Sequence, residues 1–187
     1  MLRTEAIGNL ERQIADLKQQ LTALRRQAEP ETVEDYALTG PDGQSVRLSE
    51  LFGDKRDLIL IHNMGKGCSY CTMWADGFNG VLPHLEDRAA FVLVSPDAPD
   101  VQQEFARERG WTFPIYSAHG TRFIEEMGFR DEDGWLPGVS TFRKTDGGGV
   151  QRVATTEFGP GDDFCAVWHF FDLLSGGAGG WEPRYSY

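Results

Sequence analysis

The chain of 187 residues combines 40% hydrophobic with 25% charged residues, which fits one globular domain with attachments and excludes collagen-like, fibrous or wholly disordered chains. Acidic residues outnumber basic residues by 29 to 18, which gives a formal net charge of −11. Because such a surface repels polyanions, we expect no nucleic-acid partner.

Residues 4–28 are predicted to form one amphipathic helix. Its apolar residues recur at alternating spacings of three and four, as in a heptad repeat: Ile7, Leu10, Ile14, Leu17, Leu21 and Leu24. Pro30 ends this first segment, residues 1–30. An apolar stripe of this kind needs a partner, and two alternatives stay open: a second copy of the helix, which gives a homodimer through residues 4–28, or the globular domain of the same chain.

The next segment, residues 31–174, is predicted to be an α/β domain because strand and helix patterns alternate along it. The predicted strands lie at 36–38, 45–48, 57–63, 91–95, 113–116, 138–144 and 150–156, and the predicted helices at 68–87, 100–109, 121–127 and 162–174. Crossovers through helices force parallel pairing, whereas the last two strands form an antiparallel hairpin, so we expect a mixed sheet.

Residues 175–187 are predicted to be a glycine-rich tether and an aromatic tail. Docking of the tail on the protein body, docking on a partner, and a frayed terminus all stay open.

Neither a targeting signal nor a membrane span is visible in the sequence. The first ten residues mix charged and apolar side chains, and the longest apolar runs, 58–61 and 89–94, are far shorter than the ~20 residues that cross a bilayer. Three cysteines, an odd number, do not form the disulfide framework of a small secreted domain. We therefore expect a cytoplasmic protein with no membrane partner, whose thiols are reduced or form a working pair.

Cys68 and Cys71 are the strongest candidates for chemistry. They follow a predicted covered strand and open the next predicted helix. A sulfur at a helix N-terminus faces unpaired amide N–H groups and the positive end of the helix dipole, which favours its thiolate, and Lys66 adds positive charge nearby. Cys71 begins the apolar stripe that continues with Trp74. The pattern therefore predicts Cys68 as the attacking sulfur and Cys71 as the resolving sulfur of a redox pair.

A zinc site is the alternative use of these cysteines. Cys165 and His169 stand four residues apart on the last predicted helix and, with the first pair, complete a Cys₃His set. The residues around them have the pattern of an ordinary apolar core, which favours the redox interpretation.

Two short strings carry a resemblance to a known family. They are G-C-x-x-C-x-x-W-A-D at 67–76 and G-W-T-F-P at 110–114. Together with Asp35-Tyr36, they make the stretch from about 33 to 174 similar to the bacterial thioredoxin-like domain of unknown function family 899, in the thioredoxin/peroxiredoxin-like superfamily. The resemblance implies a thioredoxin-like mixed sheet flanked by helices and preceded by the N-terminal amphipathic helix.

The resemblance also implies roles for three further positions. His62 falls where thioredoxins place a buried aspartate that relays a proton for the inner cysteine, and an imidazole can act as that base. Ser140 stands where thioredoxins carry a cis-proline that faces the cysteine pair. Gly65 occupies the place of the peroxiredoxin threonine, so peroxide reduction is a weaker inference than dithiol exchange. For His62 and Trp74, a purely structural role in the core is the alternative.

These patterns together predict a thiol-disulfide oxidoreductase that needs no bound cofactor. Its expected partners are a protein or small-molecule disulfide substrate and a cellular dithiol donor. The main alternative is a binding or assembly module that uses the thioredoxin-like body as a scaffold and the leading helix as an oligomer seam.

Overall fold

An eight-stranded mixed β-sheet organises residues 2–187, the part of the chain that the computed structural model describes, with side chains from Thr4 onward. The strands are β1 Glu31–Val33, β2 Ala37–Thr39, β3 Ser45–Arg47, β4 Asp57–His62, β5 Ala90–Ser95, β6 Ile115–Ser117, β7 Gly138–Lys144 and β8 Val150–Glu157. Their order across the sheet is β1-β8-β7-β4-β5-β6-β2-β3. The pairs β4–β5 and β5–β6 are parallel, and the other neighbours are antiparallel.

Helices connect the strands and flank the sheet. They are α1 Leu2–Gln27, α2 Ser69–Arg88, α3 Pro99–Arg109, α4 Phe123–Glu126 and α5 Ala166–Asp172, with a 3₁₀ turn at Leu48–Glu50. Gly110 closes α3 in the left-handed conformation at φ +70°, which glycine adopts without a steric penalty. Within the described part of the chain, no helix combines the length and the apolar character that crossing a membrane requires.

Strand β4 separates two hydrophobic clusters because successive side chains of a strand point to opposite faces. Leu58 and Leu60 belong to the α4-side cluster, which contains Phe52, Val92, Phe123, Phe129 and Phe142 among others. Ile61 belongs to the α2-side cluster, which contains Cys71, Trp74, Phe78, Phe91, Phe158 and Trp168 among others. The carboxyl end of β4 therefore leads directly into the region where the candidate residues lie.

The predicted α/β class, the mixed sheet and the thioredoxin-like arrangement are confirmed. Strand β1, which pairs with β8, was not predicted, since three residues are too few to show a period. The closing helix is shorter than predicted and covers only Ala166–Asp172. Asp162 accepts the backbone N–H groups of Phe164 and Cys165, which holds the chain in a turn before the helix begins.

Helix α1 leaves its apolar stripe open to solvent. The six apolar side chains of the heptad pattern are 46% to 64% exposed. Lys18 pairs with Asp163 at 2.6 Å, so the helix touches the rest of the chain through a flanking charge. The stripe is thus not covered by the chain's own domain.

Candidate active site

The loop between β4 and α2 has a defined shape. The Asn63 side chain accepts the backbone N–H of Gly65 at 2.7 Å, and Asp97 accepts the backbone N–H of Lys66 at 2.7 Å. Gly65 has φ +99°, and a Cβ there would lie 2.7 Å from the Asp97 Oδ1. Only glycine satisfies both conditions. The loop thereby delivers Cys68 to the start of α2.

Cys68 is the N-cap residue of α2, and its sulfur accepts the backbone N–H of Cys71 at 3.0 Å. A hydrogen bond from the Cys71 thiol lowers the pKa of Cys68 to about 7, helped by the backbone N–H groups of Cys71 and Tyr70 and opposed by burial. Hydrogen bonds to the charged form stabilise a thiolate. Cys68 is therefore ionised at a lower pH than an ordinary cysteine.

Cys71 is in the opposite state. It is 3% exposed, and burial together with the neighbouring Cys68 sulfur raises the pKa of the Cys71 thiol, with the hydrogen bond to Cys68 as the largest cause. Cys71 thus keeps its proton while Cys68 is a thiolate, and both are free thiols in this structure. The outer sulfur is therefore the more readily ionised of the two, and the protonated inner thiol lies beside it.

Aromatic side chains enclose the two cysteines. Tyr70, between them in sequence, stacks on Trp168 with ring centroids 6.1 Å apart and lies 6.2 Å from Trp74. Trp74 is buried and packs on Phe158 at 5.3 Å. The structure therefore places Trp74 in the core, directly beneath the cysteine-bearing turn.

His62 and Ser140 contact one another instead of the cysteines. The His62 Nε2 lies 2.9 Å from the Ser140 Oγ, and the imidazole stacks on Phe129 with centroids 3.7 Å apart. Burial, with a smaller effect of Arg152, lowers the pKa of His62 to about 3. Among the described residues, no hydrogen bond joins His62 to Cys68 or Cys71, so the proton relay stays a prediction.

Lys66 and the predicted zinc ligands Cys165 and His169 are not assembled with the cysteine pair. Lys66 is exposed, and the hydrogen bonds of Cys71 and Tyr70, not this ammonium, lower the pKa of Cys68. In the part of the chain that the structure describes, no set of three or more His, Cys, Asp or Glu side chains could hold a metal ion. Cys165 is buried, whereas His169 points its Nε2 toward Asp163 at 3.5 Å. The Cys₃His zinc set is therefore not assembled.

Sequence reasoning missed three residues of the site. Asp97 comes just after β5, which is parallel to β4; since loops that follow parallel neighbours meet at one sheet edge, this signal was available. Trp168 was recognised only as a core residue. The docking of Tyr185 on Phe105 and Arg109 of α3 had no local signal.

Comparisons with known proteins agree with this architecture. A family model described as "Bacterial protein of unknown function (DUF899)" matches residues 4–184. No curated protein matches the chain. A cysteine-to-serine mutant of PrxQ from Xylella fastidiosa is similar with TM-score 0.60, 18% identity, and coverage of 70% of this chain and 85% of that one.

Two further solved structures extend the comparison. Peroxidoxin BcpB from Mycobacterium tuberculosis has TM-score 0.55 and 26% identity, and covers 68% of this chain and 84% of its own. A putative protein disulfide isomerase from Bacteroides thetaiotaomicron has TM-score 0.50 and 21% identity, and covers 68% and 77%. The neighbours share the thioredoxin-type fold.

Proposed function

The chain belongs to the DUF899 family of bacterial proteins, and we propose that it acts as a thiol-disulfide oxidoreductase through Cys68 and Cys71. One observation carries the proposal: the Cys68 sulfur caps α2 and accepts the backbone N–H of Cys71 at 3.0 Å, and the neighbouring Cys71 thiol lowers its pKa. This arrangement supplies an ionised nucleophile with a second thiol in contact. We propose a cytoplasmic location for this reaction, because the cytoplasm supplies the dithiols that would re-reduce the pair.

The reaction begins with attack of the Cys68 thiolate on a substrate disulfide, RS–SR′. A bond forms between Cys68 and one substrate sulfur, the substrate S–S bond breaks, and R′S⁻ leaves. Cys71 then loses its proton, attacks the Cys68 sulfur and forms the Cys68–Cys71 disulfide, and RS⁻ leaves. The substrate gains two electrons and the pair loses two, which a cellular dithiol donor returns.

The timing of the second step follows from the cause of the high Cys71 pKa. The Cys68 thiolate accepts the Cys71 proton in a hydrogen bond and opposes a second negative charge. Once Cys68 is bonded to substrate it carries no charge, so the pKa of Cys71 falls. Cys71 therefore becomes a nucleophile only after the mixed disulfide has formed.

The test is a thiol titration of the purified protein against a dithiol buffer, with Cys68→Ser and Cys71→Ser variants. The unsubstituted protein is expected to form a reversible Cys68–Cys71 disulfide. Cys71→Ser is expected to trap a stable mixed disulfide with a chromogenic disulfide reagent, and Cys68→Ser to form none at this site. Cys165→Ser is the matched control, because it removes a buried cysteine outside the pair and is expected to leave the titration unchanged.

Absence of a reversible disulfide, together with an ordinary pKa for Cys68, would overturn this function. That result would favour the alternative in which the thioredoxin-like body is a scaffold for binding or assembly.

A second candidate, peroxide reduction, is favoured by the likeness to peroxidoxin BcpB at 26% identity. The Cys68 thiolate would attack ROOH, giving Cys68 sulfenic acid and ROH after proton uptake, and Cys71 would displace water to form the same disulfide. Gly65 has no hydroxyl that could bind a peroxide, and the Asp97 carboxylate lies where its side chain would be. Stopped-flow oxidation by hydrogen peroxide and by a small disulfide compares the two substrates directly. Faster oxidation by peroxide would make peroxide reduction the principal reaction.

A further inference from the structure

The C-terminal segment Trp181–Tyr187, called here the tail wall, docks on the protein body. Trp181 packs edge-on against Trp168 and Phe171, with centroids 6.0 Å and 4.9 Å apart. Pro183, two residues further on, is buried. Trp168 also stacks on Tyr70 between the cysteines. The first half of the tail wall therefore joins the aromatic enclosure of the candidate active site.

The second half of the tail wall is tied to the other side of the site. The Arg109 Nη1 donates a hydrogen bond to the carbonyl of Tyr185 at 2.6 Å, and the same guanidinium pairs with Asp76 on α2, the cysteine-bearing helix. The Tyr185 ring lies edge-on to Phe105, with centroids 6.2 Å apart. Both ends of the wall are thus fastened, one to α5 and the other to α3.

The ionisation of the Tyr185 phenol depends on burial and on the cysteine pair. Burial raises the pKa of its phenol, and the charges of Cys68 and Cys71 raise it further. Trp181 belongs to the same hydrophobic cluster as Cys68 and Cys71, so packing places the first half of the tail wall near the pair.

We propose that the tail wall closes one side of the access to Cys68 and makes the site specific for low-molecular-weight disulfides. Cys68 is only partly exposed. A small disulfide reaches the sulfur with the wall in place, whereas the disulfide of a folded protein requires the wall to leave. The assignment rests on the proposed function for its chemistry, but the access it describes is measurable without any redox step.

The test compares alkylation of Cys68 by iodoacetamide and by a maleimide carrying a long polyethylene glycol chain, with the labelled peptide located by mass spectrometry. In Trp181→Ala and Tyr185→Ala, we expect labelling by the bulky reagent to rise about tenfold and labelling by iodoacetamide to stay within about twofold. Leu173→Ala is the matched control: its side chain lies outside the wall and is 84% exposed, and its removal is expected to change neither rate.

Equal rates of Cys68 labelling by the bulky reagent in the unsubstituted protein, Trp181→Ala and Tyr185→Ala would contradict the proposal that the tail wall restricts access. A protein that forms no Cys68–Cys71 disulfide but shows the expected labelling pattern would instead overturn the redox function and leave the wall standing. Turnover of glutathione disulfide against that of a folded protein disulfide completes the test, because Tyr185→Ala is expected to raise only the second rate.

An independent observation concerns α1, whose stripe is exposed, and we infer that a second copy of this chain covers it in an antiparallel helix pair. At 26 residues, the helix is about 39 Å long, enough for the full apolar stripe to face its counterpart. Positions flanking the stripe on one side are Glu11, Lys18 and Arg25, and those on the other side are glutamines 13, 20 and 27.

The flanking charges select the antiparallel orientation. In a parallel pair, each charged flank faces the uncharged flank of the other helix. In an antiparallel pair that aligns all the apolar residues, Glu11 lies across from Lys18 of the partner subunit, twice by symmetry. Each Lys18 then lies between the Glu11 carboxylate of the other copy and Asp163 of the same chain.

Sedimentation equilibrium of the full chain tests the pair. We expect a dimer, which Leu17→Asp converts to a monomer and which Gln19→Asp, outside the stripe, leaves intact. Glu11→Lys places like charges opposite each other and is expected to weaken the dimer about fivefold. A monomeric full chain overturns the proposal, and a dimer indifferent to Glu11→Lys overturns the antiparallel orientation.

Discussion

Two polar pairs lie near the carboxyl end of β4: Cys68 with Cys71, and His62 with Ser140. Each pair holds a group with a lowered pKa, about 7 for Cys68 and about 3 for His62. The causes are opposite, because hydrogen bonds stabilise the charged form of Cys68 whereas burial penalises the charged form of His62. A lowered pKa therefore indicates a reactive group only where the charged form is the stabilised one and solvent reaches it.

The largest expected effect is on the rate of disulfide reduction, which should depend on the cysteine pair and not on the His62–Ser140 pair. Cys68→Ser is expected to slow reduction of a small disulfide by at least about 10³-fold, since it removes the nucleophile. His62→Phe keeps a ring against Phe129 and is expected to leave the rate within about threefold. Steady-state turnover with a dithiol donor measures both. A comparable loss in His62→Phe, or in Ser140→Ala if the first variant folds poorly, would support the proton relay and break the comparison.

The second prediction concerns acid stability. The folded protein binds a proton at His62 with a pKa of about 3, below the ordinary 6.5. The unfolded chain therefore binds more protons between these values. His62 stabilises the fold above pH 6.5, and this stabilisation is lost as the pH falls toward 3, by up to about 1.4 kcal/mol per pH unit. Urea unfolding at several pH values should show a shallower acid dependence in His62→Phe than in the unsubstituted protein, and equal slopes would contradict the assignment.

The third prediction addresses the hydrogen bond inside the cysteine pair. Cys71→Ala removes the thiol that donates to Cys68, so the pKa of Cys68 is expected to rise from about 7 toward its ordinary 9.0. Thiolate absorbance in the far ultraviolet, followed against pH, measures the shift. Cys165→Ala serves as the control and is expected to leave the titration in place. An unchanged Cys68 pKa in Cys71→Ala would mean that the helix terminus alone sets its value.

The smallest expected effect lies in the loop that joins the two pairs. Gly65→Ala combines a left-handed φ of +99° with a clash against Asp97, and is expected to lower the free energy of unfolding by about 1–3 kcal/mol. Gly67→Ala is the matched control, because a Cβ there meets nothing within 4 Å. Urea unfolding of both variants decides the matter, and similar losses at the two positions would argue against the Asp97 contact.

Much of the site was predictable because its determinants are local. The covered strand, the amphipathic helix after it and the position of Cys68 at their junction all follow from residues within about two helical turns. The alternation along β4 also implied that His62 shares a face with Leu60 and not with Ile61. The proton-relay hypothesis did not take into account that His62 and Ile61 point to opposite faces of the sheet. In the structure, α2 and the cysteines pack against the Ile61 face.

By itself, the sequence determined the α/β class, the order of the main elements, and a cysteine pair beginning at a helix N-terminus, since periodicity and helix capping are short-range properties. Tertiary structure alone decided the partner of His62, which is 78 residues away in sequence, and the docking of the tail on α3 and α5. It also decided that α1 keeps its stripe exposed. Such contacts depend on which distant surfaces meet, and a one-dimensional pattern carries no signal for that when each partner is a single side chain.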